Sequence, residues 1–349
     1  MDSLGETRQS FLDVAKGIMA LLVIFHHVPI VFRSLFGETM LFQPIEKYDY
    51  FYTVFFMPAF FLINGFTSNF KKDWKSFLAK NAKSLLMPFL TFGVLLYFVD
   101  ALVLRRTALF VTVGRESYFY VFEATWFFTA LFFARILQWL VVHYFKKDLI
   151  QFLVWATLMA ISFGITHFYA RNNIPLPSHF ANFLHYRNGL AMGIFLWMGY
   201  FVRKQDFLKP FMLGGAVIYL VLIIVSFNLE PFGVLWAPSY THTWGFGIKA
   251  IPKFILYSTT GSACILLFSY FIGKCSFLEY CGRNSGIIYG VQFGVLKIVS
   301  HYGIKILPVS TQLQALIWYL AVGISSIILS IILCKVFEIR WLRILVGRN

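Results

Sequence analysis

The residues best placed to do chemistry lie near the start of the chain, in KGIMALLVIFHH at 16–27. A lysine and a histidine pair sit inside one apolar run. Lys16 and His27 are eleven positions apart, about three helical turns, so on a helix both side chains face the same way. A rise of about 1.5 Å per residue separates them by roughly 16 Å. A cation near one membrane face is thereby lined up with an imidazole deep in the membrane. An ionisable group in an apolar span is costly to bury and points to a functional site. Imidazole titrates near physiological pH, so one of His26 and His27 suits a general base. The cation suits an anionic donor. The structural alternative is that the histidines hydrogen-bond a neighbouring helix and only hold the bundle together.

Other polar residues fall in apolar surroundings. In MPAFFLINGF (57–66), Pro58 interrupts helical hydrogen bonding, and Asn64 and Gly65 follow on the same helix, as either a cavity lining or a packing kink requires. Arg135, His167 and Lys297 lie within apolar runs. A guanidinium at Arg135 suits a phosphate-bearing ligand, or it snorkels to the lipid headgroups. Asp100 and Glu123 fall near outer helix ends, where solvation is the expectation. No glycine-rich phosphate loop, metal-ligand spacing or nucleophile elbow is present.

The elements that must position these groups are membrane spans. Of 349 residues, 59% are hydrophobic and 13% charged, against about 25% charged in soluble domains. The pattern predicts an all-α, polytopic integral membrane protein forming a single domain over 1–349. About ten spans are expected, near 11–33, 50–70, 84–104, 118–143, 149–170, 187–202, 210–227, 250–272, 284–300 and 313–335. The first is too long and polar for a cleaved signal peptide. The net charge of +15 does not imply nucleic acid, because the cations sit in alternate loops. Lys71, Lys72, Lys75, Lys80 and Lys83 follow span two; Lys146 and Lys147 follow span four; Arg203, Lys204 and Lys209 follow span six; Arg340, Arg343 and Arg348 lie in the tail. That asymmetry predicts both termini in the cytoplasm, with Arg105, Arg106 and Arg115 running against it. The outward loops 171–186 and 228–249 are rich in His, Pro and aromatics, as a hydroxyl-rich ligand or an interfacial belt requires. Cys264, Cys275, Cys281 and Cys334 show no metal or redox spacing.

Four stretches in order carry a resemblance. FLDVAKGIMALLVIFHH resembles the first helix of the membrane acyltransferase-3 family, in its fucose 4-O-acetylase-like branch, with Lys16 and His27 at that family's spacing. MPAFFLINGF resembles its second helix, with Asn64 where Ser is usual. EATWFFTALFFARI (123–136) is similar to its WFL-type helix, and FLEYCGRNSGIIYGVQF (277–293) to its late GKNS helix, with Gln292 where a histidine is common. The resemblance implies transfer of an acyl group, usually acetyl, from cytoplasmic acyl-coenzyme A to a sugar hydroxyl of a surface polysaccharide or its lipid-linked precursor, in a bacterial inner membrane. His27 is then the essential histidine and Lys16 its paired basic residue. Arg135, Lys71, Lys72 and Lys75 are expected to meet the donor's phosphates. His26, Asn64, Glu123 and Trp126 are expected on the acceptor side, and by analogy with other acyl transfers Asn64 or a helix-end amide is expected to stabilise the oxyanion. Acetyl-CoA is a donor substrate; no permanently bound cofactor, metal or nucleic acid is expected. Partners are the donor, the glycan acceptor and membrane lipid. The rival reading is a transporter or flippase of a lipid-linked saccharide.

Overall fold

The computed structural model describes residues 3–37, 39–105, 110–113, 116–119, 124–171, 185–229 and 251–348. Glu123 and nearly all of the two long outward loops lie outside the described residues. In lipid every backbone polar group must be satisfied within the segment, so apolar runs of this length fold as helices. They do so at α1 (Ser3–Phe36), α2 (Gln43–Thr67), α3 (Trp74–Asn81) continuing into α4 (Met87–Leu102), α5 (Trp126–Tyr144), α6 (Asp148–Arg171), α7 (Tyr186–Lys204) and α8 (Leu208–Leu229). After them come α9 (Ile251–Ile272), the short α10 (Ser276–Arg283), α11 (Ser285–Ile306), α12 (Gln312–Phe337) and a terminal α13 (Arg340–Arg343). Eight of these stretches are long and apolar enough to cross a membrane. With α2 and the more polar α7, both of which pack inside the bundle, they correspond to the ten expected spans. The one departure from helix among the described residues is a two-stranded antiparallel ribbon, β1 (Phe110–Val113) with β2 (Glu116–Phe119). It lies between α4 and α5, in the segment holding the cations that run against the charge rule.

Local chemistry sets the boundaries. Asp73 caps α3, accepting from the Ser76 amide at 2.9 Å. A π-helical turn at Ala82–Leu86 joins α3 to α4. Pro88 follows directly and has no N–H to give, and a widened turn accommodates its ring. Thr311 and Gln314 form a reciprocal capping box at the start of α12. Pro58 does not end α2, which runs unbroken through it.

Helix contacts are made close by glycine where function will need rigidity. A Cβ at Gly65 would stand 1.8 Å from the Leu196 carbonyl oxygen, and one at Gly199 1.9 Å from that of Leu62, so α2 and α7 touch backbone to backbone. Gly65 is thus a packing residue, and of the two readings of that motif the structure supports this one for Gly65. Likewise a Cβ at Gly17 would stand 2.1 Å from the Leu278 oxygen, and one at Gly282 1.8 Å from that of Asp13. The crossing of α1 with α10 fixes the level of Lys16.

Both ends of the described chain lie on one side. Ser10 donates to Glu279 on α10 at 2.6 Å, and Arg348 donates to Asn284 Oδ1 and to the Arg283 carbonyl, each at 2.7 Å. Trp139 donates to the Lys72 carbonyl, Arg203 to the Phe66 and Ser68 carbonyls, and Lys204 pairs with Asp148. The basic loops therefore gather at one end of the bundle, hereafter the basic end.

Candidate active site

His26 and His27 sit in the outer half of α1, both half-buried. His27 Nδ1 lies 2.8 Å from the Val23 carbonyl oxygen. A carbonyl only accepts, so the neutral ring carries its proton on Nδ1 and presents Nε2 with a lone pair. That is the tautomer a general base needs. The ring packs on Phe293 of α11, centroids 4.4 Å apart, and His26 packs on Phe56 of α2 at 5.7 Å. The Gln292 side chain is close enough to His27 to interact with its ring. Gln292 is nevertheless fully buried, and neither its Nε2 nor its Oε1 completes a hydrogen bond of normal geometry. A buried amide left that way costs free energy, and it leaves two polar atoms beside the imidazole for a third group to use. The neighbouring Tyr289 packs edge-on against Phe127 and Phe128 of α5, at 5.3 and 5.5 Å.

Helix α5 carries this cluster toward the basic end. Phe128, Arg135, Trp139 and Val142 follow helical spacing along one stripe. Arg135 makes no hydrogen bond and no ion pair among the described residues, and its Nε is sealed from solvent. A cation held that way is chemically suited to an anionic partner. One turn on, Trp139 stacks on His143 at 4.8 Å and 7° and touches Trp74 at 4.9 Å. These rings and Tyr200 line an open groove of about 600 Å³ with Lys71, Lys72, Lys146 and Lys204, a volume in the range of small-molecule sites. Lys75 is exposed nearby but does not line the groove. Sequence reading missed Trp139 and His143. Their positions four and eight residues beyond Arg135, on one helical face, were the available signal.

The other expected site residues are placed as follows. Lys16 is at the basic end, paired with Asp13 one turn before it. Asn64 is on α2, eight residues beyond Phe56 and so about 12 Å further toward the basic end than the level of His26. Its Nδ2 donates to the Phe60 carbonyl at 2.9 Å, and the structure does not bring it to His27. Trp126 stands at the outer end of α5, 6.5 Å from the ring of His185. Asp100 is a correction: it is not solvated at a helix end but buried. It accepts from Lys297 Nζ at 2.7 and 2.8 Å, with the two side chains 7% and 2% exposed. Each carries the charge the other needs in a medium that would reject either alone. No cluster of three or more His, Cys, Asp or Glu capable of holding a metal exists among the described residues, and the cysteines there are free thiols.

The described residues form a mainly helical bundle with a histidine pair and an arginine inside its spans and a lysine-lined groove at the basic end. Residues 9–335 match the family described as an acyltransferase domain, Acyl_transf_3, and the chain belongs to that family. It is an integral membrane acyltransferase. No curated protein and no solved structure matches the chain.

Proposed function

We propose that this acyltransferase moves an acyl group, acetyl in the simplest case, from acyl-coenzyme A to a hydroxyl of a surface glycan or its lipid-linked precursor. The observation that carries this reading is the unpaired guanidinium of Arg135, set on the α5 stripe between the basic groove and the Tyr289–Phe293–His27 cluster. The positive-inside rule puts the basic end in the cytoplasm, where acyl-coenzyme A is available, and the resemblance noted above puts that cytoplasm in a bacterium, with the protein in its inner membrane. Lys71 and Lys72 meet the donor's phosphates in the groove, with the Trp139–His143 stack against its adenine. Arg135 holds an anionic group one turn deeper, and the pantetheine arm runs on toward His27. Lys75 adds to the positive field at the mouth, and Lys16, held by Asp13, does the same below α1.

The chemistry follows from the tautomer. His27 Nε2 takes the proton from the acceptor hydroxyl as its oxygen attacks the thioester carbon. The carbon–sulfur bond then breaks, and the departing thiolate receives the proton back from His27. Gln292, not Asn64, is the amide beside the imidazole, and its Nε2–H is the available donor for the developing oxyanion. The acceptor enters at the outer end past Trp126, with His26 on its side of the ring pair.

His27→Ala is expected to lower turnover by about 10²–10⁴-fold, the range for a general base, while leaving coenzyme binding intact. The test is O-acyl content of surface glycans by mass spectrometry in wild type, a deletion, and the deletion carrying His27→Ala at equal membrane abundance, with coenzyme affinity measured on the purified proteins. Loss of one acyl group in both mutants, from a glycan that still reaches the surface, supports the reading. A glycan that fails to reach the surface, or full restoration by His27→Ala, overturns it.

A further inference from the structure

A second concavity lies on the far side of α11 and differs from the first in having almost no polar wall. It is a groove of about 490 Å³ between α4, α11 and α12. Phe92, Leu96 and Val99 form one wall, Gly290 and Gly294 the other, with Leu342 and Leu345 of the terminal segment at its lower end. On α4 it extends from Thr91 to Val103, about 18 Å at helical rise. That is more than half of a hydrocarbon layer of about 30 Å. Its walls belong to membrane-spanning helices, so what reaches it is lipid and not water.

The lower end carries charge. The terminal segment is tied in place there, Thr91 donating to the Leu345 carbonyl at 2.8 Å and Arg348 to Asn284 at 2.7 Å. Leu342 and Leu345 line the groove; Arg340 and Arg343, their neighbours in the chain, do not line it and are exposed, with no side-chain ion pair or hydrogen bond among the described residues. Trp341 between them is 79% exposed, as an interfacial anchor is. An apolar slot whose lower end is closed by a terminal segment carrying two exposed arginines is complementary to one kind of molecule.

We propose that this groove binds an anionic glycerophospholipid of the leaflet at the basic end, one acyl chain between α4 and α11 and the phosphate at Arg340 and Arg343. The site is separate from the His27 cluster and independent of which donor or acceptor the enzyme uses. Gly294 makes room for the chain: a Cβ there would meet only Val99 and Leu96, at 3.4 and 3.9 Å, so a larger side chain would fill the groove without striking backbone.

The full-length protein is reconstituted in vesicles of equal phosphatidylcholine and phosphatidylglycerol, released, and weighed by native mass spectrometry. Wild type is expected to retain one phosphatidylglycerol. Gly294→Leu is expected to lose the bound lipid, and Arg340→Gln with Arg343→Gln to keep a lipid but lose the preference for phosphatidylglycerol. Leu95→Trp, which fills the groove from α4, repeats the Gly294 test if that variant folds poorly. As a second reading, added phosphatidylglycerol should raise the melting temperature of wild type in phosphatidylcholine and leave the double arginine variant unmoved. A wild type that carries no lipid, or the same lipid on all variants, overturns the proposal.

Discussion

Two cations lie inside this bundle, and their surroundings are opposite. Lys297 of α11 meets Asp100 of α4 through both carboxylate oxygens in a nearly closed site. Arg135 of α5 has no hydrogen-bond or ion-pair partner among the described residues. Each charge is costly in an apolar medium, and the cost is offset differently. For Lys297 the protein supplies the counter-ion itself, which locks α4 to α11 and so sets the rotation at which Gln292 and Phe293 face His27. For Arg135 no counter-ion is found among the described residues, and in the proposed function the donor supplies it.

The difference predicts which mutations damage the fold and which damage the reaction. The largest effect on stability is expected at Lys297→Leu, which strands the Asp100 carboxylate and should cost about 3–5 kcal/mol. Adding Asp100→Leu should recover most of it, because the orphaned charge then goes too. Thermal unfolding in detergent reads both, and equal losses in the single and double variants would break the comparison. Arg135→Leu should do the reverse. Folding should be unharmed, while donor affinity falls about 10–100-fold, the equivalent of one charged hydrogen bond of about 1.5–3 kcal/mol. Arg135→Lys keeps the charge without the planar fork and should fall between the two. Coenzyme binding by calorimetry separates these outcomes, and unchanged affinity in Arg135→Leu would remove Arg135 from the site.

A smaller effect is expected at the basic end, where ion pairs are wet. The Ser10 hydrogen bond holds the Glu279 carboxylate below its usual range, with help from Arg283 and against the opposing effect of burial. A lowered folded-state value means stability that is present above the ordinary carboxylate range of about 4 and is lost as pH falls through the folded value. Ser10→Ala should therefore lower the melting temperature slightly at neutral pH and not at all in strong acid. A difference that persists in acid would assign the effect of Ser10 to packing.

Much of this architecture is legible in the sequence. The ten apolar runs fixed ten helices, because lipid leaves a chain of that composition no other way to satisfy its backbone. The charge asymmetry of the loops marked the basic end. Lys16 and His27 share a helix, so their alignment follows from periodicity alone, and Arg135 stands out as a charge in an apolar run. The partner of Lys297 was hidden, since Asp100 lies 197 positions away and reads locally as a residue near a solvated helix end. The same holds for Gln292 against His27, for the approach of Trp74 and Tyr200 to the Trp139–His143 stack at the groove and for the apolar slot closed by the terminal segment. Spacing along one helix is a local property that the sequence states directly. Which faces meet across helices depends on their rotation and depth, and the glycine crossings, the capping contacts and the Asp100–Lys297 pair settle those only when the whole bundle is packed.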